Sequence, residues 1–166
     1  MQLCGAMLKL DKIDLKILAA LQREGRITKL QLAAEANLSA AACWERLRRL
    51  EKAGVIAGYS ASIDAVKLGR FATVLVEIML KSHRQADFQR FEAMVMREPA
   101  ITGCDAVGGG VDYVVRIVAP DIDSYQRLID RLLAEDLGID RYFTYIVTKT
   151  IKTSGFPLEI LGDIKA

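Results

Sequence analysis

Three residues, Asn37-Leu38-Ser39, separate two stretches of helical periodicity, and a turn that short prevents the two helices from lying antiparallel. They must cross steeply, as in a helix-turn-helix. Each boundary carries its own signal. Asp11 can cap a first helix whose Ile13, Ile17, Leu18 and Leu21 recur on one face, and Gly25 ends it. Thr28 with Gln31 forms a capping box, each side chain satisfying a free amide at the start of a short second helix carrying Leu30, Leu32, Ala33 and Ala36. Ser39 caps a third helix that runs to Ala53 and stops at Gly54. The first helix supplies the third wall of a small core.

On a helical wheel the third helix stacks Cys43, Leu47 and Leu50 toward that core. Glu45, Arg48 and Lys52 point away, with Arg49, Ala41 and Ala42 beside them, while Arg46 and Trp44 flank the buried stripe. Ala40, Ala41 and Ala42 hold the first turn rigid by helix propensity, and they are small enough for close approach to DNA and contact with thymine methyl groups. They cannot donate or accept hydrogen bonds, so the helix positions first and reads second. Residues 1–65 hold ten Lys or Arg against seven Asp or Glu, a balance of +3, and the remaining residues thirteen against fourteen, a balance of −1. The basic excess therefore sits with the helices, as polyanion binding requires.

"VIAGYSASID" reads as a strand and "AVKLG" as a linker, and the pattern then changes to alternation. "FATVLVEIML" (71–80) is a strand, and 85–99 an amphipathic helix with Phe88, Phe91, Met94 and Val95 inward. Two strands, "ITGCDAV" and "VDYVVRIVA", flank glycines 108–110 as a hairpin. Asp121 caps a second helix, and 141–152 is the last strand. The order β-α-β-β-α-β predicts a ferredoxin-like sandwich with both helices on one face of an antiparallel sheet. A second copy of the sheet is the simplest cover for its other face, so a dimer is expected.

The fold class is therefore α+β. A disordered extension is expected over 1–7, a winged-helix-like helix-turn-helix domain over 8–55, a strand and linker over 56–70, and a ferredoxin-like effector-binding and oligomerisation domain over 71–166. Met7 offers a second start, because the first periodic helix begins only after it. The apolar runs are too short and too soon charged to span a bilayer, and the opening residues lack a secretory signal, so a cytoplasmic location is expected. Cys4, Cys43 and Cys104 have no CxxC spacing and read as free thiols. His83, the single histidine, reads as an exposed loop residue and offers little for a metal centre or a catalytic constellation. No catalytic residue, metal ligand or cofactor is assigned. The triple glycine leads into a strand and not a helix, so it is not a dinucleotide fingerprint.

The stretch "LDKIDLKILAALQREGRITKLQLAAEANLSAAACWERLRRLEKAGVIAGYSASID" is very similar to the N-terminal half of the Lrp/AsnC (feast/famine, leucine-responsive regulator) transcription factors. "VGGGVDYVV" stands where that family has a Gly-x-x-Asp-Tyr turn, and "TYIVTKTIK" resembles its final strand; coverage runs from about residue 8 to 152. The resemblance implies a regulator that binds double-stranded DNA, dimers that assemble to octamers, and a small amino acid or amino-acid derivative as effector. It places that effector near the glycine turn, at contacts between dimers. Candidate DNA-contacting residues are Lys29, Ser39, Ala41, Ala42, Glu45, Arg46 and Arg49. Candidate effector residues are Asp105, Gly108, Gly109, Gly110, Asp112 and Thr144.

Two departures bear on these assignments. Family members commonly carry Pro-x-Pro after the capping serine, where Ala40, Ala41 and Ala42 stand here. That shifts base contacts to Glu45, Arg46 and Arg49, and Arg46 is expected to carry one. Gly108 and Gly110 replace residues that usually bear side chains, exposing backbone amides suited to a carboxylate. Asp112 can accept from an effector ammonium or tie the turn. Two alternatives are a ferredoxin-like dimeric enzyme, which leaves the first 54 residues unexplained, and an architectural DNA-binding protein without an effector.

Overall fold

A computed structural model describes residues 8–163 of the chain. The reading of residues 1–7 as an extension, and Cys4 with it, lies outside the described residues. The described residues form two compact units, residues 8–63 with 152–163, and residues 64–151.

In the first unit, α1 (Lys12–Arg23), α2 (Lys29–Ala36) and α3 (Ala40–Lys52) pack around Ile17, Leu32, Cys43, Leu47 and Leu50. The three predicted caps are in place. Asp11 accepts from the amides of Ile13 and Asp14, Thr28 from Gln31, and Ser39 from Ala42. Asn37 adopts the left-handed conformation at φ 56°, and the amides of Asn37 and Leu38 close back onto Ala34 and Ala33. This fixes the steep turn between α2 and α3. Gly54, at φ +71°, ends α3 in the same way.

Two expectations are corrected here. Residues 55–64 do not form a strand. Val55 and Ile56 donate back to the Leu50 carbonyl, and residues 57–64 pair with no strand among the described residues. The last part of the chain does not stay with the second unit. Leu158 packs on the helical core, Gln22 Nε2 donates to the Phe156 carbonyl at 2.9 Å, and a short helix α6 (Glu159–Asp163) follows. The boundary drawn at 71–166 thus gives way to one at residue 151.

The second unit is the expected sandwich. Strands β1 (Ala72–Leu80), β2 (Ile101–Ala106), β3 (Tyr113–Ala119) and β4 (Ile139–Ile146) form one antiparallel sheet in the order β2-β3-β1-β4. Helices α4 (Gln85–Arg97) and α5 (Ile122–Ala134) follow β1 and β3. Alternation does the sorting. Val74, Val76, Ile78 and Leu80 of β1 and Tyr113, Val115, Ile117 and Ala119 of β3 join Phe91, Met94, Tyr125, Leu128, Ile129 and Leu132 of the helices in one core. The opposite face pairs Leu75 with Tyr145 and Glu77 with Phe143, and both aromatic rings stay about half exposed. β4 stops at Ile146, short of the expected 152: Val74 is its last ladder partner on β1, and one further bond runs from the Val147 amide to the Thr73 carbonyl at 2.9 Å. Among the described residues no helix is long and apolar enough to cross a membrane.

Candidate nucleic-acid interface and ligand turn

The outward side of α3 is set by what its inward side must hold. Asp14, on α1, is completely buried, and its carboxylate receives three donors. Arg46 Nη1 donates to Oδ1 at 2.9 Å, Arg49 Nη2 to Oδ2 at 2.5 Å, and the Asp11 amide to Oδ2 at 3.1 Å. Arg46 Nη1 also reaches Asp11 Oδ2 at 2.7 Å. The Asp14 amide, with help from Arg46, holds the Asp11 carboxyl below the usual carboxylate range, and both aspartates push the Arg46 guanidinium upward. One structure therefore serves as helix cap and as clamp between α1 and α3.

That clamp moves Arg46 away from its expected place. Its guanidinium turns inward onto two carboxylates instead of outward toward a groove, because a buried aspartate without cationic partners would be costly. Arg49 is shared, with one nitrogen on Asp14 and nearly half of its side chain exposed. Arg48 makes no ion pair or side-chain hydrogen bond among the described residues, and neither does Glu45. Trp44, Glu45, Arg48, Arg49, Glu51 and Lys52 line a groove on this face. Ala41 lies exposed on the first turn, Ala42 is half-buried, and Ser39 is occupied by its capping bond. Lys29 opens α2 and places its Nζ 3.5 Å from the centroid of the Trp44 ring. Trp44 and Arg48 are absent from the residues singled out by sequence. Their outward or flanking positions on the wheel were the available signal.

The structure does not gather the predicted effector residues of the second unit on one spot. Gly108, Gly109 and Gly110 form the exposed turn between β2 and β3, with nothing within 4 Å of a Cβ built on any of them. Gly109 alone has a positive φ, +144°, which L side chains rarely adopt. Asp112 ties the base of this turn. Its Oδ2 accepts from the Leu80 amide at 2.7 Å, its Oδ1 lies 3.0 Å from His83 Nε2, and its own amide donates to the Ile78 carbonyl. His83 in turn stacks on Phe88. Thr144 belongs to the helix-covered face, opposite Val76, and its hydroxyl lies 2.5 Å from that of Tyr125. Asp105 pairs with Val114 on the opposite face. A sheet lies between the two.

Beside Asp105, burial, reinforced by Asp105 and Glu92, pushes the Cys104 thiol up to about 11 from 9.0. At pH 8 its thiolate share is then about a hundredfold below that of an ordinary thiol. In a Cys4→Ser variant, alkylation at pH 8 followed by peptide mass spectrometry should label Cys104 at least that much more slowly than a free thiol. Labelling at the free-thiol rate would show the site to be open and unshifted.

Comparison with known proteins agrees with both units. Residues 10–57 match the winged helix-turn-helix DNA-binding model, and residues 73–156 the Lrp/AsnC ligand binding domain. The chain is 56% identical to the transcriptional regulatory protein DoeX of Halomonas elongata, over 92% of this chain and 97% of that protein. It is 36% identical to the leucine-responsive regulatory protein of Escherichia coli, over 87% and 88%. Among solved structures, an AsnC family transcriptional regulator from Agrobacterium tumefaciens superposes with a TM-score of 0.85 at 32% identity, covering 92% of this chain and 99% of that one. A transcriptional regulator of Neisseria meningitidis, solved as a complex with L-Met, gives a TM-score of 0.85 at 28% identity, over 92% and 99%. With a helix-turn-helix unit at one end of its sequence and a ferredoxin-like ligand-binding unit after it, the chain belongs to the Lrp/AsnC family of DNA-binding transcriptional regulators.

Proposed function

We propose that this protein regulates transcription in the cytoplasm by seating α3 in the major groove of double-stranded DNA, and that a small amino acid or amino-acid derivative modulates that binding. The observation that carries the DNA reading is the outward face of α3, where, among the described residues, Arg48 and Lys52 form no ion pair while Arg46 is committed inward. Within this reading Arg48 and Glu45 address base edges, Arg49 and Lys29 address phosphates, and Ala41 and Ala42 allow close approach. One such module binds weakly, so two are needed on matched half-sites. The half-exposed Phe143 and Tyr145 on the uncovered sheet face favour a second copy as cover, giving a dimer that can assemble further to an octamer.

For the effector, the exposed glycine turn supports a carboxylate bound by backbone amides. Asp112 stands at its base, and enclosure comes from a neighbouring dimer. The family's ligand-binding domain and the L-Met complex of the Neisseria relative favour an amino-acid ligand. The enzyme alternative leaves the first unit without a task.

The test is titration of the purified protein onto the DNA upstream of its own gene, over a range of salt, with and without each free amino acid. Tight, salt-sensitive binding that one compound shifts is the expected result. Salt-sensitive binding indifferent to every compound would remove the effector and leave an architectural protein, and no binding to any duplex would overturn the whole reading. Gly109→Ala should lower the response to that compound while leaving effector-free affinity unchanged, because the added Cβ strains the turn at φ +144°. Gly108→Ala and Gly110→Ala should respond like wild type. A full response from Gly109→Ala would move the effector off the turn.

A further inference from the structure

Lys29 and Trp44 are joined in a way the other cations near α3 are not. Arg46 and Arg49 rest on Asp14, whose carboxylate orders them and also cancels charge. Lys29 rests on an indole face, 3.5 Å from its centroid, and the first turn of α2 holds no acidic residue. An aromatic face attracts an ammonium through its quadrupole but leaves the positive charge whole. Trp44 itself is 39% exposed although it is a large aromatic side chain on a helix with a well-filled inner stripe. One turn earlier on the same side stands Ala40, exposed and too small to cover the ring. The result, among the described residues, is an ordered cation without an acidic partner, beside the outward groove of α3.

We propose that Trp44 is a positioning residue for DNA binding: its ring holds the Lys29 ammonium at the protein–DNA boundary, so that the pair seats one backbone phosphate per subunit. This deepens the reading of α3 as the DNA-facing helix and rests on it. Trp44 acts through Lys29. The interaction is with phosphate, so it adds affinity and salt dependence without base preference.

The experiment measures binding of the full-length protein to a fluorescently labelled mixed-sequence duplex between about 0.05 and 0.2 M salt, and compares the slopes of log K against log salt. Lys29→Met should flatten the slope by about 0.9 for each phosphate that is no longer neutralised. Trp44→Leu should flatten it similarly, the double variant should go no further than Lys29→Met alone, and Trp44→Phe, which keeps an aromatic face, should restore most of the slope. A wild-type slope in Trp44→Leu, or in Lys29→Met, would overturn the proposal. So would additive effects in the double variant. Should Trp44→Leu fail to fold, Trp44→Phe and Lys29→Met decide: both near wild type overturns it, and a flattened slope with a changed Trp44 emission in Lys29→Met supports it. Wild-type protein is the control that separates the two readings. Absence of salt-dependent binding in it sinks the DNA reading itself, and this inference with it.

Discussion

Asp14→Ala should cost the first unit about 3 kcal/mol, the low end of the range for removing one member of a buried ion pair. The low end applies because Arg46 and Arg49 are partly exposed and can turn to solvent once released. The loss has two sources: the carboxylate that unites both arginines, and the acceptor for the Asp11 amide, which is the reciprocal half of the α1 capping box. Asp14→Asn keeps the shape but offers one acceptor oxygen and no charge, so it should fall between the two. Urea unfolding followed by emission of Trp44, the one tryptophan in the sequence and a residue of α3, reads this unit directly. A midpoint unchanged in Asp14→Ala would show that the clamp contributes nothing. Asp11 sets the acid side of the same device. Its folded pKa lies below 3.8, so its contribution is complete above that value and is lost only as pH falls through the lowered one. At neutral pH the cap is fully formed.

Arg48→Ala should weaken binding to a specific operator by about ten- to a hundredfold, the effect of removing one good arginine–base interaction, and should leave the unfolding midpoint unchanged. Arg46→Ala is the contrasting case. It should lower the midpoint, because Asp14 and Asp11 lose their shared donor, and affect DNA only through the altered set of α3 against α1. Competition with mixed-sequence DNA distinguishes the two, since Arg48→Ala should lose discrimination while retaining most nonspecific affinity. Loss of operator affinity in Arg46→Ala at an unchanged midpoint, with Arg48→Ala behaving as wild type, would reverse the assignment.

The arginines also mark the limit of what the sequence discloses. Local signals were legible: Asp11, Thr28 and Ser39 cap where they were expected to, and β1 and β3 lie within the stretches that read as strands. Such signals need only residues three or four apart, or a period of two. Asp14 and Arg46 are separated by 32 positions, and nothing in either helix pattern announces that they meet. The same distinction explains residues 55–64. Their composition suits a strand, but a strand needs an edge to pair with, and composition cannot supply one. Thr144 stands among the candidate effector residues, and its register places it opposite Val76 with its hydroxyl against Tyr125. Register is a property of two strands together, so it was not available from β4 alone.

The return of residues 152–163 to the helical unit changes what counts as a module. Residues 64–151 are topologically an insertion, entered and left from the same unit, and not the second half of a tandem pair. An exchange of sensing units between relatives should therefore be spliced at two points, near 64 and near 151, keeping the recipient's own tail. A chimera joined once, at the linker, would inherit a foreign partner for Gln22 and a foreign residue in place of Leu158. Its DNA-binding unit would be altered by a swap meant to change only its ligand.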